Sequence, residues 1–478
     1  MWDARTPPTP ISGTDGGLRM KRTLIRNGRV VTVDPALGDF DDCDLLIVGD
    51  RIAEVRPNIA ADVDEVIDAR DKIVIPGLIN AHLHTWQTGL RSIGSGWTGP
   101  DYHRIMHGNM GTRFLPDDNY VGTLLGAIEQ LSGGVTTIFD WCHDITSLDY
   151  AHRSIDALEE VGIRAVFGHG SAKPNAAPGE RPFTHVPHPR ERVEALRNGR
   201  LASDDRLVTL AVAILGPQFS TPEVVEHDFR MVRDLDLLSS SHAARRPGDW
   251  VSPEGFHIPA KLGLLDHRHN VVHANYIGDE ELKLIVDCGA SVTVTANIEV
   301  HVHPMDPVSG RLLALGAMPS LGIDSVPLAN SDFFNEMRLA MLYQRALDLR
   351  TAYRSGGPPL DRLPVPPRQV LEWATIGGAR ALCMEDRIGS LTPGKQADVV
   401  LIDGLALNMF PVHEPTFSAV QQAHAANVDT VLVDGIVRKR GGKLVYADDL
   451  LARRREELLH SVSRIIAESG YGSAAIGS

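Results

Sequence analysis

Helix-like stretches followed by short apolar runs recur between residues 119 and 324, and this alternation constrains the fold more than any other feature of the chain. Residues 120–132 lead into the run 135–140, 154–161 into 164–167, and 223–234 into 237–242. The same order returns at 259–265 with 270–273, at 279–288 with 291–295, and at 310–316 with 319–324. Helix-strand units repeated over roughly 250 residues predict a parallel α/β architecture. The placement of polar residues selects a closed (β/α)8 TIM-like barrel over an open, doubly wound sheet. His82, His84, His242, His273 and Asp324 each end an expected strand. In a barrel the C-terminal strand ends form one rim, so residues far apart in sequence converge. A lone histidine after an apolar run is more often a hydrogen-bonded core residue. Five such residues in register argue for one shared site.

The run Pro76-Gly77-Leu78-Ile79-Asn80-Ala81-His82-Leu83-His84 carries two histidines at i and i+2. On a strand alternate residues share a face, so both imidazoles can enter one cavity, and imidazole ligates zinc, iron or copper. A surface pair beside a turn is the alternative; a position between an apolar strand and a loop favours the site. Short β-like runs at 24–33, 44–48, 51–55 and 65–75, punctuated by Asn27-Gly28 and Gly49-Asp50, precede this motif. Residues 389–403 and 428–437 resume the same texture. The expected organisation is therefore a disordered or vector-derived tail (1–19), a small composite β-sandwich domain from both chain ends (20–75 with 387–446), the barrel (76–386) and an amphipathic C-terminal helix (447–478).

Forty-seven basic against 61 acidic residues give a formal charge of -14, which disfavours nucleic acid or an anionic membrane as partner and favours a small molecule. Cys43, Cys142, Cys288 and Cys383 form no CxxC pair, so neither a disulfide framework nor a thiolate metal site is expected, and a reducing cytoplasm is the simplest location. No apolar run reaches the roughly 18 residues of a membrane span.

Taken together, PGLINAHLH, VVHANYIGDEELKLI, SLGIDS, FFNEMRLA and GSLTPGKQADVVLID resemble the amidohydrolase superfamily, in particular the branch of cytosine deaminase and the ATZ/TRZ triazine hydrolases. The resemblance implies that His82, His84, His242 and Asp324 bind one divalent metal, with Zn2+ expected and Fe2+ or Mn2+ tolerated by the same set. It implies that His273 hydrogen-bonds the activated water or the substrate and that Asp324 takes the water's proton. The expected activity is hydrolysis of a C-N bond by a metal-activated water, as deamination or amide/urea-type cleavage of a small heterocyclic compound. The alternatives are a non-hydrolytic lyase or binding member, or a hydrolytic dehalogenase. Relatives in this branch are often dimers or higher, so a homo-oligomer is expected.

Two departures from the branch stand out. Its deaminases carry His-x-x-Glu where this chain has His242-Ala243-Ala244-Arg245. Glu299 is expected to replace that glutamate, with His303 a substrate contact or second acid; the competing reading pairs Glu299 with Arg245 in a buried ion pair. Arg245 otherwise faces substrate. Gln218 stands where many relatives have a histidine, and it cannot titrate, which points to a neutral polar group on the substrate. Trp86 and Gln87 follow the histidine pair in the expected pocket wall, Trp86 either stacking on a planar ring or packing against the barrel. Trp97, Tyr102, His103 and His107 continue into an expected lid, and His185 and His188 fall in a Pro-rich loop.

Overall fold

The computed structural model describes residues 20–471; the expected tail at 1–19 and the end of the C-terminal segment at 472–478 lie outside the described residues. The chain begins with β1 (Arg22–Val30), β2 (Phe40–Val48), β3 (Arg51–Arg56), β4 (Glu65–Asp68) and β5 (Lys72–Pro76). Eight parallel strands follow: β6 (Leu78–Leu83), β7 (Val135–Cys142), β8 (Arg164–His169), β9 (Val208–Ala213), β10 (Leu238–Ala243), β11 (His269–His273), β12 (Ser291–Val294) and β13 (Ser320–Leu321). The chain then returns through β14 (Val399–Asp403), β15 (Val428–Val433), β16 (Ile436–Arg440) and β17 (Lys443–Leu444).

The two chain ends share one nine-stranded sheet, in the order β17-β16-β15-β14-β5-β1-β2-β3 with β4 beside β1. Its seam is the antiparallel pair β5-β14, where Val74 faces Leu401 and Ile75 faces Val400. Period-two alternation divides these strands between two cores. Val74, Val399, Leu401 and Leu432 join Ile25, Leu45 and Ile47 inside the sheet's own cluster. Ile73, Ile75, Val400, Ile402 and Val431 point the other way, into the main core beneath the barrel. Gly77 makes the step from this sheet into the barrel, and no other residue fits, because a Cβ there would stand 1.9 Å from Thr136 Oγ1.

Strands β7, β8, β9 and β11 are buried along their whole length, as parallel strands covered by helices must be. The outer helices include Pro116–Ser132, Leu148–Val161, Pro222–Asp234, Asp279–Asp287 and Phe333–Arg354. Proline opens the first and third, where its missing N-H is harmless, and Gly162 at φ 67° ends the second. The barrel closes just beyond the short β13. The Asp324 N-H donates to the His82 carbonyl at 3.0 Å, and the His84 N-H donates to the Asp324 carbonyl at 3.1 Å. Strand β9, the fourth of the barrel, is missing from the runs read in the sequence. It lies beyond the insertion at 170–189 and the helix Arg190–Arg197, so no regular spacing marks it.

The C-terminal helix Asp448–Ser469 packs on its own chain. Ser461 Oγ donates to Asp118 Oδ1 at 2.5 Å, Arg464 pairs with the same carboxylate, and Trp97 Nε1 donates to the Tyr471 hydroxyl at 3.0 Å. Among the described residues no helix is long and apolar enough to cross a membrane.

Candidate metal centre and its cavity

Strand alternation turns His82 and His84, the last residues of β6 and its extension, into the barrel mouth, where His242 arrives from β10 and Asp324 from the closure beyond β13. One potential ligand atom from each of these four residues lies within 4.8 Å of the others. His82 Nε2 is 3.3 Å and His84 Nε2 3.1 Å from Asp324 Oδ1, and His82 Nε2 is 3.2 Å from His242 Nε2. The rings of His82 and His84 meet edge-on at 83°, so their nitrogens approach one point from different directions. His84 Nδ1 bonds the Trp141 carbonyl at 2.9 Å, which requires its proton there and leaves the Nε2 lone pair facing the cluster. Burial holds His82 down to about 3, hence in the neutral form that ligates metals. Three imidazole nitrogens and a carboxylate oxygen are a donor set suited to one Zn2+-like cation.

The backbone is strained at the same place. His273, Ala274 and Asp324 have φ of 75°, 60° and 68°. Non-glycine residues held in the left-handed region cost on the order of 1–3 kcal/mol each, and such residues gather where function over-determines geometry.

His273 closes the far side of the cluster. Its Nδ1 is 3.0 Å from Thr295 Oγ1 and 3.4 Å from Glu299 Oε1, and its Nε2 is 3.7 Å from Asp324 Oδ2. Burial works against a charged imidazole here, but the Glu299 hydrogen bond and the Asp324 and Glu299 charges outweigh it, so proton affinity rises. Glu299 itself is fully buried in the helix Ala296–Val302 and does not line the cavity. The helical turn folds its carboxylate back, where Oε1 accepts the Thr295 N-H at 2.9 Å and Oε2 has no partner. Glu299 thus reaches the cavity through His273. The alternative pairing with Arg245 is not formed, because that guanidinium lies 4.7 Å from the Phe219 ring centre and bonds the carbonyls of Gln218 and Asp249.

Above the cluster opens a cavity of about 970 Å³. His84, His242, His273 and Asp324 line its floor, and Tyr102, His103, His107, His303, Phe219 and Arg245 are among its walls. The 97–107 segment therefore borders the cavity through most of its residues, Tyr102, His103, Arg104 and His107 among them, whereas Trp97 is turned to Tyr471. Burial pushes His303 down to about 3, so it faces the cavity as a neutral ring.

Three expected substrate contacts stand behind the wall instead of in it. Trp86 is buried, packs edge-on against Phe114, and donates from Nε1 to His143 Nδ1 at 3.1 Å. Gln87 donates to the Tyr102 hydroxyl at 2.7 Å and accepts from Ser325 Oγ at 2.8 Å. Gln218 accepts the Arg245 N-H at 2.8 Å. Each supports a lining residue: Trp86 holds His143, Gln87 holds Tyr102 and Ser325, and Gln218 holds Arg245. His188 is buried against His169 and Ser171, and His185 lies in a short turn; neither lines the cavity.

His143, Lys173 and Phe219 line the cavity without having been singled out. His143 follows β7 directly and stacks on His84 with ring centres 4.2 Å apart. It lies three residues past the apolar run read at 135–140, because β7 extends to Cys142. Lys173, in the insertion after β8, carries no strand-end signal.

Residues 73–437 match the Amidohydrolase family. The chain is 29% identical over 450 residues to the 5-methylthioadenosine/S-adenosylhomocysteine deaminase of Desulforudis audaxviator, covering 91% of this chain and 97% of that protein. It is 28% identical over 415 residues to the 5'-deoxyadenosine deaminase of Methanothermobacter thermautotrophicus, covering 85% and 91%. Among solved structures, an adenosine deaminase from Xanthomonas campestris with bound zinc superposes with a TM-score of 0.78 at 23% identity, over 93% of this chain and 98% of that one. The zinc complex of atrazine chlorohydrolase from Arthrobacter aurescens gives 0.79 at 23%, over 92% and 100%.

Proposed function

Because this chain belongs to the amidohydrolase family, we propose that it hydrolyses a C-N bond of a small N-heterocyclic compound, by removing an exocyclic amine or cleaving an amide or urea-type group. The observation that carries this reading is the convergence of His82, His84, His242 and Asp324 within 4.8 Å on a strained barrel rim. These four residues would hold a single Zn2+. When bound there, such a cation lowers the pKa of water toward about 7 and polarises the carbon under attack.

The chain's own residues do the rest. Asp324 Oδ2, the carboxylate oxygen turned toward His273, accepts the attacking water's proton and returns it to the leaving nitrogen. With Nδ1 of His273 engaged by Thr295 and Glu299, its Nε2 is the atom left to donate to the charge that develops on the substrate. Glu299 acts as a positioning residue through this histidine. The deaminases that resemble this chain act on purine nucleosides by name, which supports a planar heterocyclic amine as substrate class. The same reading takes the protein to be cytoplasmic, in keeping with four unpaired cysteines, and a homo-oligomer whose native mass in solution decides the point.

Elemental analysis of protein purified without chelator, beside Asp324→Ala, tests the proposal together with a screen for released ammonia or amine. Close to one zinc per chain, lost in the variant along with turnover, is expected. A well-folded wild type with no metal, or with two per chain, would overturn the ligand assignment.

A further inference from the structure

We propose that Lys173 and Arg245 form an anion-recognition site in the cavity wall, so that the substrate of the hydrolysis proposed above carries a carboxylate beside its nitrogen group. The substrate clause rests on that hydrolytic reading; the binding site itself does not.

Lys173 is only 8% exposed, yet it lines the cavity. Among the described residues its ammonium makes no ion pair or hydrogen bond, and its neighbour is the ring of Phe219, with Nζ 5.4 Å from the centre. Arg245 lies against the same ring and has carbonyl oxygens, not carboxylates, as its side-chain partners. Phe219 therefore gathers two cationic heads at one place. The acidic side chains that face this cavity among the described residues are Asp324, committed to the histidine cluster, and Asp249. Two further cations line the wall: Arg104 is already matched by Asp101 at 2.8 Å, and Arg246 is exposed.

An ammonium on a largely buried side chain, meeting only the cavity and no counterion, is incompletely compensated for the water it has lost. Burial, and the like charge of Arg245 after it, draw its proton affinity down to about 8, so the ammonium still predominates at neutral pH. An entering carboxylate would supply the hydrogen-bonded counterion that Lys173 lacks and a second acidic partner, beside the charge of Asp249, for Arg245. A neutral ligand of the same shape would leave Lys173 unpaired.

Isothermal titration of the metal-containing protein with benzoate and with its neutral analogue benzamide tests this without requiring turnover. Wild type is expected to bind benzoate at least about 10-fold more tightly than benzamide. Lys173→Met is expected to bring the two close to parity, Arg245→Gln to reduce the preference several-fold, and Arg245→Lys to keep most of it. Circular dichroism checks that each variant folds; should Lys173→Met not fold, the half-exposed Arg245 pair of variants decides. Equal binding in wild type would overturn the proposal. So would a benzoate preference unchanged in both charge-removing variants, which would assign the carboxylate to the metal cluster. Benzoate preference lost in the variants, in a protein that hydrolyses none of the screened amines, would sustain the anion site and break the hydrolytic reading. Hydrolysis of neutral amines without any benzoate preference would do the reverse.

Discussion

Arg164 at the base of the barrel and the histidine cluster at its rim are both buried and polar, and they are built on opposite plans. Arg164, at the start of β8, gives two hydrogen bonds to Asp398 at 3.0 and 3.1 Å and a third to Asp434, tying the barrel to the sheet made by the chain ends. Asp398 also accepts the Asp434 N-H at 2.8 Å, and no buried polar atom of these three side chains lacks a partner. At the rim, by contrast, His82 Nδ1, Glu299 Oε2 and His303 Nδ1 are buried without partners, and His273 and Asp324 hold strained backbones. A saturated buried network rigidifies a fold, whereas one with open valences is costly unless something else completes it. The difference separates what holds this protein together from what is available for chemistry.

The sharpest way to break that comparison is to exchange the outcomes of mutation at the two ends. Asp324→Ala is expected to lower kcat/KM on the order of 10³-fold or more while leaving the urea midpoint within the range of a surface substitution. A large loss of stability there would mean that the rim is structural after all. Arg164→Met should do the opposite, costing about 3 kcal/mol in urea denaturation by stranding the buried carboxylate of Asp398 beside the partly exposed Asp434, with activity per folded molecule preserved.

Asp144 offers an intermediate case. It is buried, accepts from Asn119 Nδ2 at 3.0 Å and Cys142 Sγ at 3.2 Å through Oδ1, and has no partner at Oδ2. Burial raises it from 3.8 to about 7, against the pull of those hydrogen bonds. The folded state thus binds this proton more tightly than the unfolded chain, so the stability it supports is intact below about pH 4 and lost as pH rises through 7. Between pH 5 and 8 wild type should lose about 2–3 kcal/mol relative to Asp144→Asn, in which the titration is absent. Parallel stability curves for the two proteins would count against an incompletely satisfied carboxyl. The smallest effect is expected for Glu299→Gln: kcat about 10- to 30-fold lower with KM and metal content unchanged, since only the hold on His273 weakens. A loss of zinc in this variant would make Glu299 part of the metal centre instead of a positioning residue.

Much of this organisation is legible along the chain. The apolar runs that become β6, β7, β8, β11 and β12 stand out because largely buried parallel strands have little choice of composition. The five strand-end residues His82, His84, His242, His273 and Asp324 come together because a closed parallel barrel puts every strand's C-terminal end on one rim. Strand β9 escapes notice because a long insertion interrupts the rhythm before it. His143 escapes because the apolar run read at 135–140 stops three residues short of it, whereas β7 continues to Cys142.

The side chains on loops and short helices tell the other half. Trp86, Gln87 and Gln218 are near the site in sequence, but each points away from the cavity and braces a residue that lines it. Glu299 turns back onto its own helix and His273, and Arg245 turns to Phe219. Strand periodicity and barrel closure are properties of local pattern, so the residues of this chain determine by themselves which side chains converge at the metal centre. The direction of a loop side chain depends on what packs against it from distant segments, such as Phe219 beneath Lys173 and Arg245. Only the tertiary structure decides which of the neighbouring residues face a substrate.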